Sequence, residues 1–271
     1  MSELTLRVLP PAQRISRVGR GSLPLIERHA RVYRHMWLVF ASGVFEPLFY
    51  LLSVGIGLGT LIGRVPGPAG TPIPYREFVA PGLLAVSAMN GAIYDSTFNV
   101  FFRLKYDKLY EAVLATPMRP GQVALAEIGW ALFRGTIYAV AFMLVMAFMG
   151  LVQSWWALFA VPVALLIGFA FAAVGVACTT YMKSWQDFDY VTLTSMPLFL
   201  FSGTFYPLSV YPRVVADIVE WTPLYQGVVL LRDLVIGATG PDLLWRAAYL
   251  LVMGVGGLYV AGRRIGTLLL V

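Results

Sequence analysis

Residues Trp155–Met182 read WWALFAVPVALLIGFAFAAVGVACTTYM, without one charged side chain. About 20 consecutive apolar residues are enough for a helix to cross the hydrocarbon layer of a bilayer. Four more segments meet or nearly meet that length: Met36–Ile62, Phe78–Phe102, Gln122–Val152 and Leu243–Gly262. A sixth, Val191–Leu208, is shorter and interrupted by Pro197 and Gly203. A seventh patch, Leu224–Ile236, is too short to cross and carries Gln226, Arg232 and Asp233. The pattern predicts an all-α polytopic membrane protein with six transmembrane helices and a re-entrant or interfacial hairpin before the last one.

Composition points the same way. The 271 residues are 59% hydrophobic and 13% charged, with a mean hydropathy of +0.75. Soluble domains carry about 25% charged residues, so this chain cannot cover a water-facing surface of its size. An ordinary soluble enzyme and a disordered chain are excluded. A β-barrel is disfavoured because its strands alternate polar with apolar residues, whereas the apolar residues here run on continuously. The single cysteine, Cys178, lies in an apolar run and reads as a small core residue. His29 and His35 stand alone, and no metal-ligand spacing occurs.

Charge sets the expected orientation. With the N-terminus inside, fourteen cations fall on the inner side: seven arginines before Trp37, then Arg103, Lys105, Lys108, Arg119, Lys183, Arg263 and Arg264. Five fall outside, namely Arg64, Arg76, Arg213, Arg232 and Arg246, with Arg134 inside a span. Cytoplasmic loops carry the excess of Lys and Arg, so both termini are expected in the cytoplasm. This also explains the basic balance without invoking nucleic acid.

Three segments lie outside the spans. Residues 1–35 form a cytoplasmic N-terminal segment, and Ser22–Met36 (SLPLIERHARVYRHM) has apolar and basic residues near helical spacing. It reads as an interfacial amphipathic helix, serving either as an anchor or as a platform for a partner. The loop 103–121 carries RLKYDKLYEAVLATPMRPG. In it Tyr106, Leu109, Tyr110, Val113 and Leu114 make one apolar face opposite Lys105, Asp107, Lys108 and Glu111, before Pro117 stops the helix. A three-turn cytoplasmic helix with two exposed tyrosines fits a groove on another protein; a loop helix resting on lipid headgroups is the alternative. Residues 209–242 are punctuated by Pro212, Pro223 and Gly237, and predict two short helices, Val210–Trp221 and Leu224–Ile236.

Ionisable residues inside spans are costly and usually pair or face a cavity. Glu46, Asp95, Glu127 and Arg134 are such residues, and a structural ion pair is expected among them, for example Glu46 or Asp95 with Arg134. Gly55 and Gly59 form a small-xxx-small pair suited to helix packing. The span around Asp95, SAMNGAIYDSTFNVFF, is the most polar and is rich in aromatics. That mixture suits an amphipathic substrate better than an ion.

No glycine-rich phosphate loop of the form G-x-x-x-x-G-K-[ST] occurs, and neither does a recognisable catalytic centre. Any ATP energy would come from another chain. The runs PGLLAVSAMNGAIYDSTFNVFFRLKYDKLYEAVLATPMRPGQVALAEIGWALFRG (Pro81–Gly135), PLFLFSGTFYPLSVYP (Pro197–Pro212) and PLYQGVVLLRDL (Pro223–Leu234) together resemble the membrane subunits of ABC-2 type transporters. The branch is the one holding nodulation-factor, polysaccharide and drug exporters. The resemblance covers residues 25–265 and implies six spans, an amphipathic N-terminal helix, a coupling helix between spans two and three, and an outer re-entrant hairpin. It implies pairing with a second copy or a related permease, and with two cytoplasmic ATPase subunits that bind ATP and Mg. The coupling helix maps onto Leu104–Leu114, with Tyr106, Leu109, Tyr110 and Glu111 as contacts. Many relatives are expected to have His where this chain has Gln226.

The expected function is the transport subunit of an ABC exporter in the bacterial inner membrane, moving a lipid, glycolipid or hydrophobic drug, with no cofactor of its own. Phe45, Phe49, Tyr94, Phe98, Phe199 and Phe205 are the candidate lining of its path. An ion-driven secondary transporter is the main rival, but it should show paired broken helices, and only one broken region is visible. A membrane-embedded transferase would need clustered carboxylates near one interface.

Overall fold

The computed structural model describes residues 25–28, 45, 48–116 and 118–269. Most of the expected amphipathic helix Ser22–Met36, the start of the first span, Glu46 and Pro117 lie outside the described residues. The chain is mostly helical. Helix α1 (Leu48–Ile62) winds as a π-helix over Leu51–Leu58. A small antiparallel hairpin follows, β1 (Arg64–Pro66) and β2 (Pro72–Pro74), with Val65 opposite Ile73. Both of those side chains are buried. An all-α reading did not expect this hairpin, because three-residue strands ending in proline are too short to show a period of two.

Helix α2 runs over 75–105 as Tyr75–Tyr94, a π turn Asp95–Asn99, and Val100–Lys105. After it come α3 (Leu109–Leu114), α4 (Pro120–Phe148), α5 (Ala160–Thr179) and α6 (Phe188–Leu200). The last three are α7 (Arg213–Glu220), α8 (Pro223–Ile236) and α9 (Asp242–Leu269). Proline opens α4 and α8 at the first turn, where its missing N–H costs nothing. Among the described residues, α4, α5 with its leading turn, and α9 are long and apolar enough to cross a membrane. The pair α7 and α8, bent by 80°, makes a fourth candidate as one broken span. α2 is long, but it carries the polar run around Asp95; α6 has only 13 residues.

The core lies where α2, α4, α8 and α9 surround α5. Helices in a bilayer gain little from excluding water, so close backbone approach through small residues drives their packing. Here α9 presses on α5 at Gly254, which meets the Phe169 ring, and at Gly257. A Cβ at Gly257 would sit 2.7 Å from the Val174 nitrogen and 2.8 Å from the Ala173 carbonyl carbon. Gly55 and Gly59 are looser: a Cβ on Gly55 would be 3.8 Å from Arg76 Cβ, and one on Gly59 4.0 Å from Tyr75.

The irregular stretch 201–207 between α6 and α7 is held by Arg232 of α8. Its Nε donates to the Phe78 carbonyl at 3.0 Å and its Nη2 to the Gly203 carbonyl at 2.8 Å. The guanidinium also lies 3.7 Å from the Phe78 ring centroid. Non-helical backbone at membrane depth survives only where protein satisfies its polar groups, and Arg232 does this from within the bundle. The sequence reading counted Arg232 as an outer loop cation; it is 6% exposed and belongs to the core.

Replacing Gly257 by Ala should lower the thermal midpoint of the purified protein, because main chain cannot move aside and overpacking costs about 1–3 kcal/mol. Gly256→Ala is the control, since a Cβ there meets nothing within 4 Å. Equal midpoints for the two variants would show that the α5–α9 contact is not tight.

Candidate functional site

Four charged residues form two pairs between α2 and α4. Arg134 of α4 donates through Nη1 to Asp95 Oδ1 at 2.6 Å and through Nη2 to the Tyr138 hydroxyl at 2.9 Å. Asn99, one turn on, donates to the same Asp95 oxygen at 2.9 Å. Two turns into α4, Glu127 accepts from Arg103 through Oε2 and from the Tyr110 hydroxyl through Oε1, the latter at 2.8 Å. Glu127 and Arg134 lie seven residues apart, about 10 Å along the helix, and pair with Arg103 and Asp95 respectively. Asp95 and Arg103 lie eight residues apart on α2, which runs antiparallel to α4. The two spacings match, and each charge meets its opposite. Of the four charges singled out in the sequence, Asp95 and Arg134 are brought together, Glu127 is not joined to them, and Glu46 lies outside the described residues. Arg103 was missed as a partner because the apolar run stops at Phe102, although α2 continues to Lys105.

The segment after α2 departs from the expected continuous helix. The chain breaks at residues 106–108, and Lys108 takes a left-handed conformation with φ +48°, uncommon for a residue with a side chain. α3 then runs only six residues. Tyr106 stays exposed at 64% while Tyr110 is buried at 1%. Burial, reinforced by the Glu127 carboxylate, pushes the Tyr110 hydroxyl well above its ordinary pKa, so it stays a proton donor. Tyr110 is therefore not the exposed anchor that the helical spacing suggested; its hydroxyl reaches a buried acceptor that no pattern within the loop could reveal. Glu111 is exposed and Leu109 is half-buried against the core.

The six candidate lining aromatics do not surround one space. Phe45 and Phe49 stack at 5.9 Å between centroids and are largely exposed. Phe199 sits between Tyr50 at 6.3 Å and Phe205 at 5.3 Å. Tyr94 and Phe98 stack at 4.9 Å, and Phe98 also stacks on Phe188 at 4.1 Å. The large cleft of the chain, about 760 Å³, lies between α6 and the faces of α2 and α5, and none of the six lines it. Among the described residues no cluster of three or more His, Cys, Asp or Glu could hold a metal ion.

Arg134→Ala should leave Asp95 without its counter-charge in the bundle, held only by Asn99, a loss of about 3–5 kcal/mol for a buried pair broken on one side. The double variant Asp95→Leu/Arg134→Leu should recover most of the thermal midpoint. A single variant as stable as the parent would show that Arg134 reaches solvent instead.

The family model described as ABC-2 type transporter matches residues 24–236. Nodulation protein J of Rhizobium leguminosarum bv. trifolii is 34% identical over 193 residues, covering 71% of this chain and 72% of that protein. Nodulation protein J of Sinorhizobium fredii is 34% identical over 72% of this chain and 73% of its own length. The inner membrane transport permease YadH of Escherichia coli is 24% identical over 77% and 76% respectively. On the extent of these matches, and with the apolar helices to cross a bilayer several times, the chain belongs to the ABC-2 type transporter family as a multi-pass permease.

Proposed function

We propose that this chain is the membrane subunit of an ATP-driven exporter, taking an amphipathic molecule out of the cytoplasm or the inner leaflet. It would work as a pair, with a second copy or a related permease, on two cytoplasmic ATPase subunits that bind ATP and Mg. The inner membrane named for the Escherichia coli relative is the proposed location. Six spans are completed by the first segment, Met36–Ile62, by α2, and by α6 with the residues that follow it. The N-terminal amphipathic helix lies on the inner surface, both termini are cytoplasmic, and α7 with α8 forms the outer re-entrant hairpin. Phe45, Phe49, Tyr94 and Phe199 would line the path only where a second subunit faces them.

The observation that carries this reading is the fixed yet exposed segment 103–114. Tyr110 and Arg103 clamp it onto Glu127, while Tyr106, Lys108 and Glu111 face outward. An exposed segment that continues α2 and is bonded to α4 at Glu127 can pass a push from a partner into the membrane. A loop that only connects spans needs no such clamp.

Tyr106→Ala should weaken copurification of the ATPase subunit, since aromatic anchors at interface centres contribute about 2 kcal/mol or more. Tyr110→Phe should keep that association, because Tyr110 is buried, yet reduce stimulated ATPase activity and transport through loss of the Glu127 bond. Parental behaviour in both would reduce the segment to a connector. For orientation, a cysteine at position 213 in a Cys178→Ser background should react with an impermeant maleimide from the outer side. Reaction from the cytoplasmic side alone would reverse the proposed topology.

A further inference from the structure

We propose that the cleft beside α6 holds an acyl chain of an anionic phospholipid, as a resident lipid and not as cargo. The cleft measures about 760 Å³, within the roughly 300–1,000 Å³ of sites that enclose small ligands. Its lining along α6 runs from Asp187 to Leu198, about 17 Å at the helical rise. Its shaft is long and mostly apolar.

Three hydroxyls along that shaft already donate to main-chain carbonyls. Thr97 donates to the Ile93 carbonyl at 2.6 Å, Thr194 to Tyr190 at 2.9 Å, and Ser195 to Thr192 at 3.4 Å. A sugar chain brought here would lose its water partners and find few replacements, at a cost of about 1–3 kcal/mol for each unsatisfied group. A hydrocarbon chain asks for none. The charged lining groups gather at one end, where the Asp187 carboxylate accepts from the backbone N–H of Lys183 and Ser184, at 2.6 and 3.2 Å. Both bonds fall on Oδ2 of Asp187; the Lys183 ammonium attracts this carboxylate but makes no salt bridge among the described residues.

A second cation stands at the same end. The Arg264 guanidinium lies 4.2 Å from the ring centroid of Tyr181, a lining residue, and its Nε has no hydrogen-bond partner. Two cations beside the polar end of an apolar shaft match a phosphate joined to a fatty chain. The inference stands apart from the ATP-driven reading, since it concerns a bound membrane component and not export.

The full chain, reconstituted in vesicles, tests this with phosphatidylglycerol carrying a mid-chain diazirine, compared with phosphatidylcholine carrying the same chain. After illumination, adducts mapped by mass spectrometry should fall on Val174, Cys178 and Ser195 and favour phosphatidylglycerol. Lys183→Gln and Arg264→Gln should each cut that preference about fivefold, the equivalent of about 1 kcal/mol for a cation near an anionic surface. Ser195→Phe should block the shaft and abolish the adducts; Val174→Phe serves the same purpose from α5. Equal labelling by both lipids, or adducts confined to other faces, would overturn the proposal. So would Cys178 joining Cys178 of a second copy through a short bis-maleimide, which would make the cleft a protein interface.

Discussion

A charge inside a bilayer must meet its counter-charge or return to water, and that requirement registers α2 against α4. Asp95 meets Arg134 and Arg103 meets Glu127 because the two helices run antiparallel with matched spacing. The register fixes where α2 must end and the chain turn back. The turn is then anchored by Tyr110, whose hydroxyl takes the remaining oxygen of Glu127. One carboxylate thus joins α2, α3 and α4. The π turn at Asp95–Asn99 fits the same constraint: an extra residue in the turn re-aims side chains, and it lies where Asp95, Ser96 and Thr97 all face inward.

Much of the architecture was legible because hydrophobic length is a strong signal. The apolar runs predicted α4 and α5 within a few residues and the start of α9, which continues past the expected Gly262 to Leu269, and the prolines at 212 and 223 marked the two short helices before the last span. Arg134 could be singled out because a charge within a long apolar helix has few ways to exist. What stayed hidden depends on distance in space. Arg103 looked like a loop cation, and Tyr110 looked like half of an exposed stripe, until Glu127 was seen to draw both inward. Arg232 was likewise indistinguishable from a surface arginine, since its acceptors are main-chain carbonyls, at Phe78 and Gly203. The small hairpin escaped notice because prolines frame its strands.

The two ends of the bundle are built differently. At one end lie α3, the start of α4 and the last turns of α9, drawn close where Gly262 approaches Gly121. At the other, Gln153 reaches Glu77 and its N–H donates to the Val235 carbonyl at 3.2 Å. The cations Lys105, Lys108, Lys183 and Arg264 belong to the first end. A partner pressing on the exposed side of segment 103–114 would act on Glu127, and through α4 on Asp95 and Arg134. Such a path would run through the charge-assisted bonds at Glu127 and then along two turns of α4 to Arg134.

The most direct test of this register is exchange of one pair. Arg103→Glu and Glu127→Arg, made singly and together, are compared by thermal midpoint in the purified subunit. If α2 and α4 are registered by opposite charges, each single change brings like charges together and destabilises the protein, and the exchange recovers much of the loss. Additive loss in the double variant would contradict the account, because the two side chains would then act independently.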